Sequence, residues 1–432
     1  MSANRRSGIF LIAALGLLLG LLAVAVPAFA ASKEKVLYSF CATQLCPDGS
    51  NPVAGLIPDA AGNLYGTAVY GGNSNCPHGC GTVFELTQVN GKWKLKVLHH
   101  FENDGTDGYY PEAGLIFDAA GNLYGTTSSG GTYQSGTVFE LMPRKNGKWM
   151  ERTLYSFDWK TEDGTDPISA LTLDSSGNLY GTTFSGGNYN DGIVFKLSRH
   201  ANGRWIEKVL YDFDWNNGKN GCDPQTKVIF DVAGNLYGTT SFGGPYGSGD
   251  IFELIPSKHG FWTEKMLYNF TGGSDGSLPT ADLVFDAAGN LYSTTLWGGS
   301  HECRDGCGTA FKLTPDAKGQ WTLTTLYSFD ERDGAFPNGV IFDAAGNLYG
   351  ATRDGGAYSG GGCDYWGCGT VFKLTPGSGG TWTETVLHSF NDNGVDGYQP
   401  YGSLVMDRNG NLYGTTYAGG AYNYGTVFEV TP

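Results

Sequence analysis

Short hydrophobic segments alternate with polar turn residues along almost the whole chain. In the second of these groups the segments read "AGLIFD", "NLYGTT", "GTVFEL" and "WMERTLYSF". Val, Ile, Leu, Phe, Tyr and Thr dominate them, whereas Gly, Asn, Asp and Pro separate them, which is typical of β-strands joined by tight turns. Beyond the N-terminal segment we find no apolar spacing of 3.6 residues, the spacing that an amphipathic helix requires. The pattern therefore predicts an all-β protein.

The same ten-residue pattern occurs seven times. Residues 118–127 read DAAGNLYGTT, and related segments begin at Asp59, Asp174, Asp231, Asp286, Asp343 and Asp407. Their glycines are 55 to 64 residues apart, a period typical of solenoids, propellers and repeat arrays. Asp at the first position and Gly at the fourth favour a type I turn. We therefore interpret the motif as a hairpin corner capped by Asp, rather than as a metal or catalytic site.

Four strands in each of seven units predict a seven-bladed β-propeller with four antiparallel strands per blade. Six units contain a late Trp followed by a strand such as "TLYSF", but the seventh ends at Pro432 without that strand. The missing strand is found at residues 34–40, "EKVLYSF". We expect this N-terminal strand to join the C-terminal blade and close the ring, which removes an exposed sheet edge. A β-solenoid or two separate sheet domains are the alternatives.

The repeat unit "DAAGNLYGTT…GG…GTVFELTP" resembles the GloVer tandem repeat of secreted bacterial proteins, over residues 34–432. It is more weakly similar to kelch repeats, which also place a GG pair, an aromatic residue and a later Trp in each blade. The GloVer resemblance implies export and a repeat domain with no assigned biochemical role. Members often carry a C-terminal sorting tail, whereas this sequence ends at Pro432 inside a strand unit.

The N-terminal segment has the features of an export signal. Arg5 and Arg6 precede an apolar run at residues 9–26, and Ala28-Phe29-Ala30 forms a cleavage site of small residues. We expect residues 1–30 to be a signal peptide and residues 31–432 a single propeller domain; an uncleaved membrane anchor is the alternative. The expected product is a monomeric bacterial protein, secreted or periplasmic, with no membrane span after cleavage.

The charge of the chain excludes several classes of partner. The formal net charge is −15, and removal of the two signal-peptide arginines makes it more negative still. Such a protein is poorly suited to nucleic acids or anionic membranes, both of which attract Lys and Arg. We therefore expect no nucleic-acid partner.

Strand order assigns the loops to two faces, and one of them varies from unit to unit. Loops after the second strand and between units contain Tyr or Trp beside Asp and Asn, side chains suited to stacking on sugar rings and bonding their hydroxyls. The alternative is that each Tyr packs on the neighbouring blade. The candidate ligand-binding residues are Tyr109, Tyr133, Tyr189, Tyr246, Trp297, Tyr358, Tyr398 and Tyr422. A neutral glycan or an extracellular protein is the expected partner.

Eight of the nine cysteines form pairs that are close in sequence. In an exported protein we expect four local disulfides, leaving Cys222 free. The pairs are Cys41 with Cys46, Cys76 with Cys80, Cys303 with Cys307, and Cys363 with Cys368.

Metal-binding patterns are weak in this sequence. No cysteine pair has a His at zinc-ligand spacing, and the calcium-like segments "NDGTDG" and "DNGVDG" have Gly at the third ligand position and lack the terminal Glu. His99 and His388 replace the Tyr of the repeated "LYSF" strand and are interpreted as structural. We expect no metal and no cofactor.

The sequence contains no nucleophile elbow, zinc motif or phosphate-binding loop. We therefore predict a secreted binding or scaffold protein that recognises its partner through the variable loops. A glycan-active propeller enzyme (lyase, hydrolase or oxidase) is one alternative, since such sites combine residues from several blades. A purely structural envelope protein is another.

Overall fold

The computed structural model describes residues 33–72, 75–218, 220–299, 303–363 and 365–432. Seven antiparallel sheets form the blades, each with its four strands side by side in the order first, second, third, fourth; in the seventh blade the fourth strand comes from the N-terminal end of the described chain. The predicted seven-bladed β-propeller is confirmed. The predicted signal peptide, residues 1–30, lies outside the described residues.

Each blade has a short inner strand, two central strands and an outer strand. In the order of blades 1 to 7, the inner strands are Ile57–Pro58, Ile116–Phe117, Thr172–Leu173, Ile229–Phe230, Val284–Phe285, Ile341–Phe342 and Val405–Met406. The second strands are Leu64–Ala68, Leu123–Thr127, Leu179–Thr183, Leu236–Thr240, Leu291–Thr295, Leu348–Asp354 and Leu412–Thr416. The third strands are Thr82–Val89, Thr137–Pro143, Ile193–Arg199, Asp250–Pro256, Thr309–Pro315, Thr370–Pro376 and Thr426–Thr431. The outer strands are Lys92–His100, Trp149–Ser156, Trp205–Asp212, Trp262–Asn269, Trp321–Ser328, Trp382–Ser389 and, for blade 7, Lys33–Ser39.

Small elements lie in the loops that connect the main strands. Ala335–Pro337 adds a fifth strand to the sheet of blade 6. The two-residue ladders pair Gly108–Tyr109 with Ser129–Gly130, Gly164–Thr165 with Ser185–Gly186, Gly221–Cys222 with Phe242–Gly243, and Gly397–Tyr398 with Ala418–Gly419. Helical turns within the described part of the chain are the 3-10 segments Trp215–Asn217 and Ser378–Gly380.

The ring closes between the two ends of the described chain. Strand Lys33–Ser39 runs antiparallel to Thr426–Thr431, with Lys33 opposite Thr431 and Ser39 opposite Thr426. The closing strand begins and ends one residue earlier than the predicted residues 34–40. Because this pairing covers the third strand of blade 7, that strand has no exposed hydrogen-bonding edge.

The repeated Asp is a turn cap, as predicted. In blade 2 the Oδ1 atom of Asp118 accepts hydrogen bonds from the backbone N–H groups of Ala120 and Asn122 at 2.9 and 2.8 Å. Its Oδ2 atom accepts from the Asn122 amide at 2.8 Å and from the Tyr124 hydroxyl at 3.2 Å. Gly121 has φ +83°, which favours glycine. The "DAAGNLY" motif therefore stabilises its own corner and anchors the second strand.

The core consists of seven clusters, one between each pair of adjacent blades. At the centre of each cluster a Phe after the outer strand packs edge-on against a Phe in the third strand of the next blade. The fully buried pairs are Phe40–Phe84, Phe101–Phe139, Phe157–Phe195, Phe213–Phe252, Phe270–Phe311, Phe329–Phe372 and Phe390–Phe428. The Gly of "LYGTT" makes room for them, since a Cβ atom on Gly181 would lie 2.7 Å from the Phe195 ring.

A second repeated contact joins adjacent blades at the outer circumference. The Tyr of the outer strand donates a hydrogen bond to an Asp in the following inter-blade loop, as in Tyr155 to Asp163 at 2.7 Å and Tyr268 to Asp275 at 3.0 Å. His99 and His388 occupy this Tyr position in blades 1 and 6. Each lies 2.9 Å from its Asp, which is Asp107 or Asp396.

Candidate ligand-binding face

The loops lie at two ends of the blades, which we name the uniform face and the variable face. The uniform face contains the "DAAGN" corners and the loops between third and outer strands; the variable face contains the loops between second and third strands and those between blades. Most exposed aromatic residues of the described chain lie on the variable face: Tyr133, Trp159, Tyr189, Trp215, Phe242, Tyr246, Tyr358, Tyr365, Tyr401, Tyr422 and Tyr424. Phe261 is exposed on the uniform face.

The structure distributes the sequence-predicted binding residues around the variable face. Tyr133, Tyr189, Tyr246, Tyr358 and Tyr422 are exposed, each on a different blade.

The other three are covered to different degrees. Tyr109 and Trp297 are partly buried. The Tyr109 hydroxyl donates to Gln134 at 3.3 Å, and the Trp297 backbone pairs with Ser277. Tyr398 is only 4% exposed, and its hydroxyl donates to Asn423 at 2.9 Å.

A cleft of about 590 Å³ lies between blades 7 and 1 on the variable face. It is lined by Leu45, Cys46, Ser50, Asn51, Tyr70, Cys76, His78, Gly79, Tyr417 and Tyr424. Apart from the two cysteines, these residues were not among the sequence-predicted site residues. Tyr70 could have been found, because it stands immediately before the GG pair, as Trp297 does in blade 5.

Covalent and hydrogen bonds hold the cleft in shape. Disulfides between Cys41 and Cys46 and between Cys76 and Cys80 brace the loops on its blade 1 side. Asn51 bridges to blade 7, because its backbone N–H donates to the Tyr424 carbonyl at 2.8 Å and its side-chain amide to the Tyr417 carbonyl at 3.0 Å. The cleft is therefore preformed, which lowers the entropy cost of ligand binding.

Aromatic rings extend from both sides of the cleft. On the blade 1 side, Tyr70 contacts Tyr110 with ring centroids 5.5 Å apart, and Tyr110 contacts Tyr109 at 4.8 Å. On the blade 7 side, Tyr417 contacts Tyr401 at 5.5 Å. We name these five tyrosines the aromatic band.

Charged and polar groups contact the aromatic band. The Arg353 guanidinium lies over the Tyr401 ring at 5.7 Å and over the Phe336 ring at 4.8 Å. It also forms an ion pair with the buried Asp354 at 3.1 Å. Burial raises the pKa of Tyr70, with Tyr417 and Glu112 adding to the effect, so the Tyr70 hydroxyl stays protonated and can donate a hydrogen bond.

The central channel, of about 360 Å³, is lined by small and branched apolar residues together with a few polar and charged ones. Two positions before each inner strand, the blades place Gly55, Gly114, Ala170, Lys227, Asp282, Gly339 and Ser403. Lys227 and Asp282 form an ion pair at 3.0 Å, and the Asp282 carboxylate raises the pKa of Lys227. Glu112 also lines the channel; burial raises the pKa of its carboxyl group, which accepts a hydrogen bond from the Ser128 hydroxyl at 2.8 Å.

All four predicted disulfides are present: Cys41–Cys46, Cys76–Cys80, Cys303–Cys307 and Cys363–Cys368. Cys222 is free and buried, as predicted. Burial, with neighbouring aspartates adding to it, raises the pKa of the Cys222 thiol to about 12. The thiol is therefore unreactive in the folded protein, since the thiolate is the nucleophile.

The fold defines a β-propeller built from one repeated unit. The chain belongs to the Gloeobacter/Verrucomicrobia repeat family, whose family model matches residues 28–229 and 223–432. A search of curated proteins found no match to the chain.

Several solved structures are similar to this one. A candidate 6-phosphogluconolactonase from Bacteroides uniformis is 14% identical with a TM-score of 0.51, covering 82% of this chain and 88% of its own. A Dyadobacter fermentans protein of unknown function is 12% identical with a TM-score of 0.44, covering 93% and 100%. A Lactobacillus plantarum protein is 14% identical with a TM-score of 0.44, covering 82% and 91%. At these identities the likeness extends to the fold alone.

Among the described residues, no helix is long and apolar enough to cross a membrane.

Proposed function

We propose that this propeller is an exported binding protein whose variable face holds a neutral, hydroxyl-rich ligand such as a neutral glycan. The observation that carries the proposal is the aromatic band, which enters a preformed cleft from both sides. Tyrosine rings stack on the apolar faces of sugars while their hydroxyls bond the sugar hydroxyls. Ser50 and Asn51 also line the cleft.

The charge of the molecule supports a neutral ligand over an acidic one. The chain has 42 acidic against 27 basic residues, so an acidic polysaccharide would be repelled at low salt. The cleft lining that the structure describes contains no carboxylate and one imidazole, His78. That composition supports binding rather than acid–base catalysis, which needs at least one further group poised to exchange a proton.

Four disulfides support function outside the cytoplasm, because such bonds persist in oxidising compartments. A closed ring leaves only the short outer edges of its blades for pairing with a second copy, which supports a monomer. In this proposal the protein is secreted or periplasmic, and its rigid ring acts as the scaffold for the cleft.

The test is a panel of neutral and acidic glycans screened against the protein purified after export. We expect binding to neutral members. Replacement of Tyr70 and Tyr417 together by Ala should weaken it about 5-fold or more, since each stack contributes roughly 0.5–1.5 kcal/mol. Tyr246→Ala, in an exposed ring on blade 4, is the matched control and should bind as the parent does.

Two other variants distinguish the cleft from the wider face. If replacement of Tyr133, Tyr189 and Tyr246 together by Ala abolishes binding while the Tyr70 and Tyr417 variant retains it, the ligand lies on blades 2 to 4 and the cleft assignment is wrong. Absence of binding across the whole panel would instead support a structural envelope protein.

A further inference from the structure

Five of the seven inter-blade junctions share one arrangement of three polar side chains, whereas Leu95 and Leu323 replace its Glu at the other two. Two of the five differ from the rest in a chemically important way. Where other junctions have Tyr, these two have His, together with an Asp from the inter-blade loop and a Glu from the next outer strand. The two groups are His99, Asp107 and Glu151, and His388, Asp396 and Glu34. In each group, one ligand atom from each residue lies within 4.8 Å of the others.

Both groups have the same internal geometry. His Nε2 lies 2.9 Å from Asp Oδ2 in each. Each imidazole is held edge-on against a buried Phe two residues later, His99 on Phe101 and His388 on Phe390, both with centroids 4.8 Å apart. Two independent copies of one arrangement indicate that it is built by the repeat rather than by chance.

These distances match neighbouring ligands of one metal ion. Zinc–nitrogen and zinc–oxygen bonds of about 2.1 Å place two ligand atoms about 3.4 Å apart at the tetrahedral angle, so an ion could replace the 2.9 Å His–Asp hydrogen bond with a movement of about 0.5 Å. An imidazole with two carboxylates is a donor set suited to first-row transition metals, because imidazole favours Zn²⁺ and its neighbours over Ca²⁺ and Mg²⁺. Three protein ligands also leave coordination positions for water.

Unsatisfied oxygen atoms point to a missing partner at the second group. Asp396 is 6% exposed, and its Oδ1 atom is buried without a hydrogen-bond partner among the described residues. Glu34 Oε1 is also without a partner in the described part of the chain, as are Glu207 Oε1 and Glu384 Oε1 at Tyr junctions. The unpartnered Asp396 oxygen is therefore the feature that distinguishes this group. A buried carboxylate oxygen without a partner destabilises a fold, and a cation bound at this group would give the Asp396 oxygen a partner.

The first group is accessible and already organised. Asp107 is held in place by backbone N–H groups, since Gly108 donates to Oδ1 at 2.8 Å and Glu102 to Oδ2 at 3.1 Å. The group lies in a cleft of about 510 Å³ on the outer circumference of the ring, which an ion could enter from solvent.

The Tyr junctions provide a comparison within the same molecule. Tyr155, Asp163 and Glu207 occupy the same three positions between blades 2 and 3. There the Tyr hydroxyl donates a hydrogen bond to Asp163, and burial together with that carboxylate raises the pKa of Tyr155. A protonated phenol is a poor metal ligand, whereas a neutral imidazole is the commonest one.

We propose that His99, Asp107 and Glu151, and His388, Asp396 and Glu34, are two binding sites for a divalent transition-metal cation such as Zn²⁺. Each ion joins adjacent blades at the outer circumference. The second site also ties the closing strand, through Glu34, to blade 6. The ions would thus act as braces across two junctions of the ring.

The experiment is a Zn²⁺ titration of the untagged, chelator-treated protein, followed by calorimetry, native mass spectrometry and thermal unfolding. We expect two ions per chain and a higher melting temperature with Zn²⁺. His99→Tyr or His388→Tyr should each reduce the count to one, and the double variant to none. These substitutions restore the residue found at the other junctions, so the fold should be retained; Tyr155→His should add a third ion.

Several results would overturn the proposal. One is the absence of Zn²⁺ binding, and another is an ion count that is unchanged in the double His→Tyr variant. A third is that Ca²⁺ and Mg²⁺ stabilise that variant as much as Zn²⁺ stabilises the parent, which would indicate only binding to the acidic surface. If a Tyr variant fails to fold, Glu34→Gln and Glu151→Gln each remove one ligand at nearly constant volume. Those variants should then show weaker Zn²⁺ binding at the altered site, and unchanged binding would equally contradict the proposal.

Discussion

The uniform and variable faces are opposite ends of the same strands, yet they follow different rules. On the uniform face each corner is closed by hydrogen bonds within its own "DAAGNLY" segment, as in blade 2. On the variable face the loops must reach from one blade to the next, and they contain the disulfides, the cleft and most exposed aromatic rings. A self-contained turn can be repeated unchanged, whereas a bridging loop can diverge once the ring beneath it is rigid.

Removal of the closing strand should have the largest effect, because both faces depend on the ring. We expect deletion of residues 33–40 to expose the edge of Thr426–Thr431 and to remove Phe40 from its packing on Phe84. The truncated protein should aggregate or lose cooperative unfolding, as measured by calorimetry and light scattering. A melting profile equal to that of the parent would contradict the closure.

Substitution in the inter-blade core should have the second-largest effect on stability. Phe195 is fully buried against Phe157, so we expect Phe195→Ala to lower the free energy of unfolding by about 3–5 kcal/mol. Phe261→Ala, in an exposed ring on the uniform face, is the size-matched control and should leave the denaturant midpoint nearly unchanged. Equal effects of the two would contradict the inter-blade core.

The inter-blade junctions should make the free energy of unfolding depend on pH. Burial, together with the nearby Asp163, raises the pKa of Glu207 to about 8. Burial, together with Asp333 and Asp330, raises the pKa of Glu384 to about 8. Unfolded glutamates release their protons near pH 4.5, so between that pH and about 8 the folded protein binds more protons than the unfolded chain. The free energy of unfolding should therefore fall as pH rises through this window.

The matched variants isolate this effect from the overall acidity of the chain. Glu207→Gln with Glu384→Gln should flatten the pH dependence between about 5 and 8 and should raise the melting temperature at pH 8. Glu102→Gln, at an exposed glutamate, serves as the control. An unchanged pH profile in the double variant would mean that both carboxyl groups ionise normally.

Substitution at a corner of the uniform face should lower the free energy of unfolding more than substitution in a loop of the variable face. Although burial opposes it, hydrogen bonds from Asn178 and the local backbone lower the pKa of Asp174. We expect Asp174→Ala to cost about 1–2 kcal/mol in the free energy of unfolding, because it leaves those donors unsatisfied. Asp174→Asn, which keeps one acceptor oxygen, should cost less in the same chemical denaturation experiment.

The smallest effect on stability is expected at exposed rings of the variable face. Tyr246 is 62% exposed, so Tyr246→Ala should change the free energy of unfolding by no more than about 0.5 kcal/mol. A loss comparable to that of Asp174→Ala would show that the ring packs on its neighbour instead of facing solvent.

The sequence was informative wherever one repeat unit determines its own structure. The Asp and Gly of "DAAGN" and the closely spaced cysteine pairs each act over a few residues. The absent outer strand of the seventh unit is found by counting strands in each unit. The strand pattern, the ring closure and the disulfides could therefore be predicted.

The cleft and the two His groups could not be predicted from the sequence, because their residues come from different blades. Tyr70 and Tyr417 are far apart in sequence and meet only because the ring closes between blades 7 and 1. The sequence favours a structural role for His99 and His388, since it shows the replaced Tyr but not the Asp and Glu beside each His. Likewise, nothing local to Tyr398 indicates that its hydroxyl binds Asn423 in a buried position.

The closing strand also has a consequence for the time course of folding. The pairing of Lys33 with Thr431 joins residues roughly 400 positions apart, so it closes the longest loop in the molecule and carries the largest entropy cost of any strand pairing. Blades 1 to 6 are built from local contacts and can form early, whereas blade 7 must wait for the two chain ends to meet. Refolding should therefore end in a slow step whose yield falls with protein concentration, since the waiting edge can pair with another chain instead.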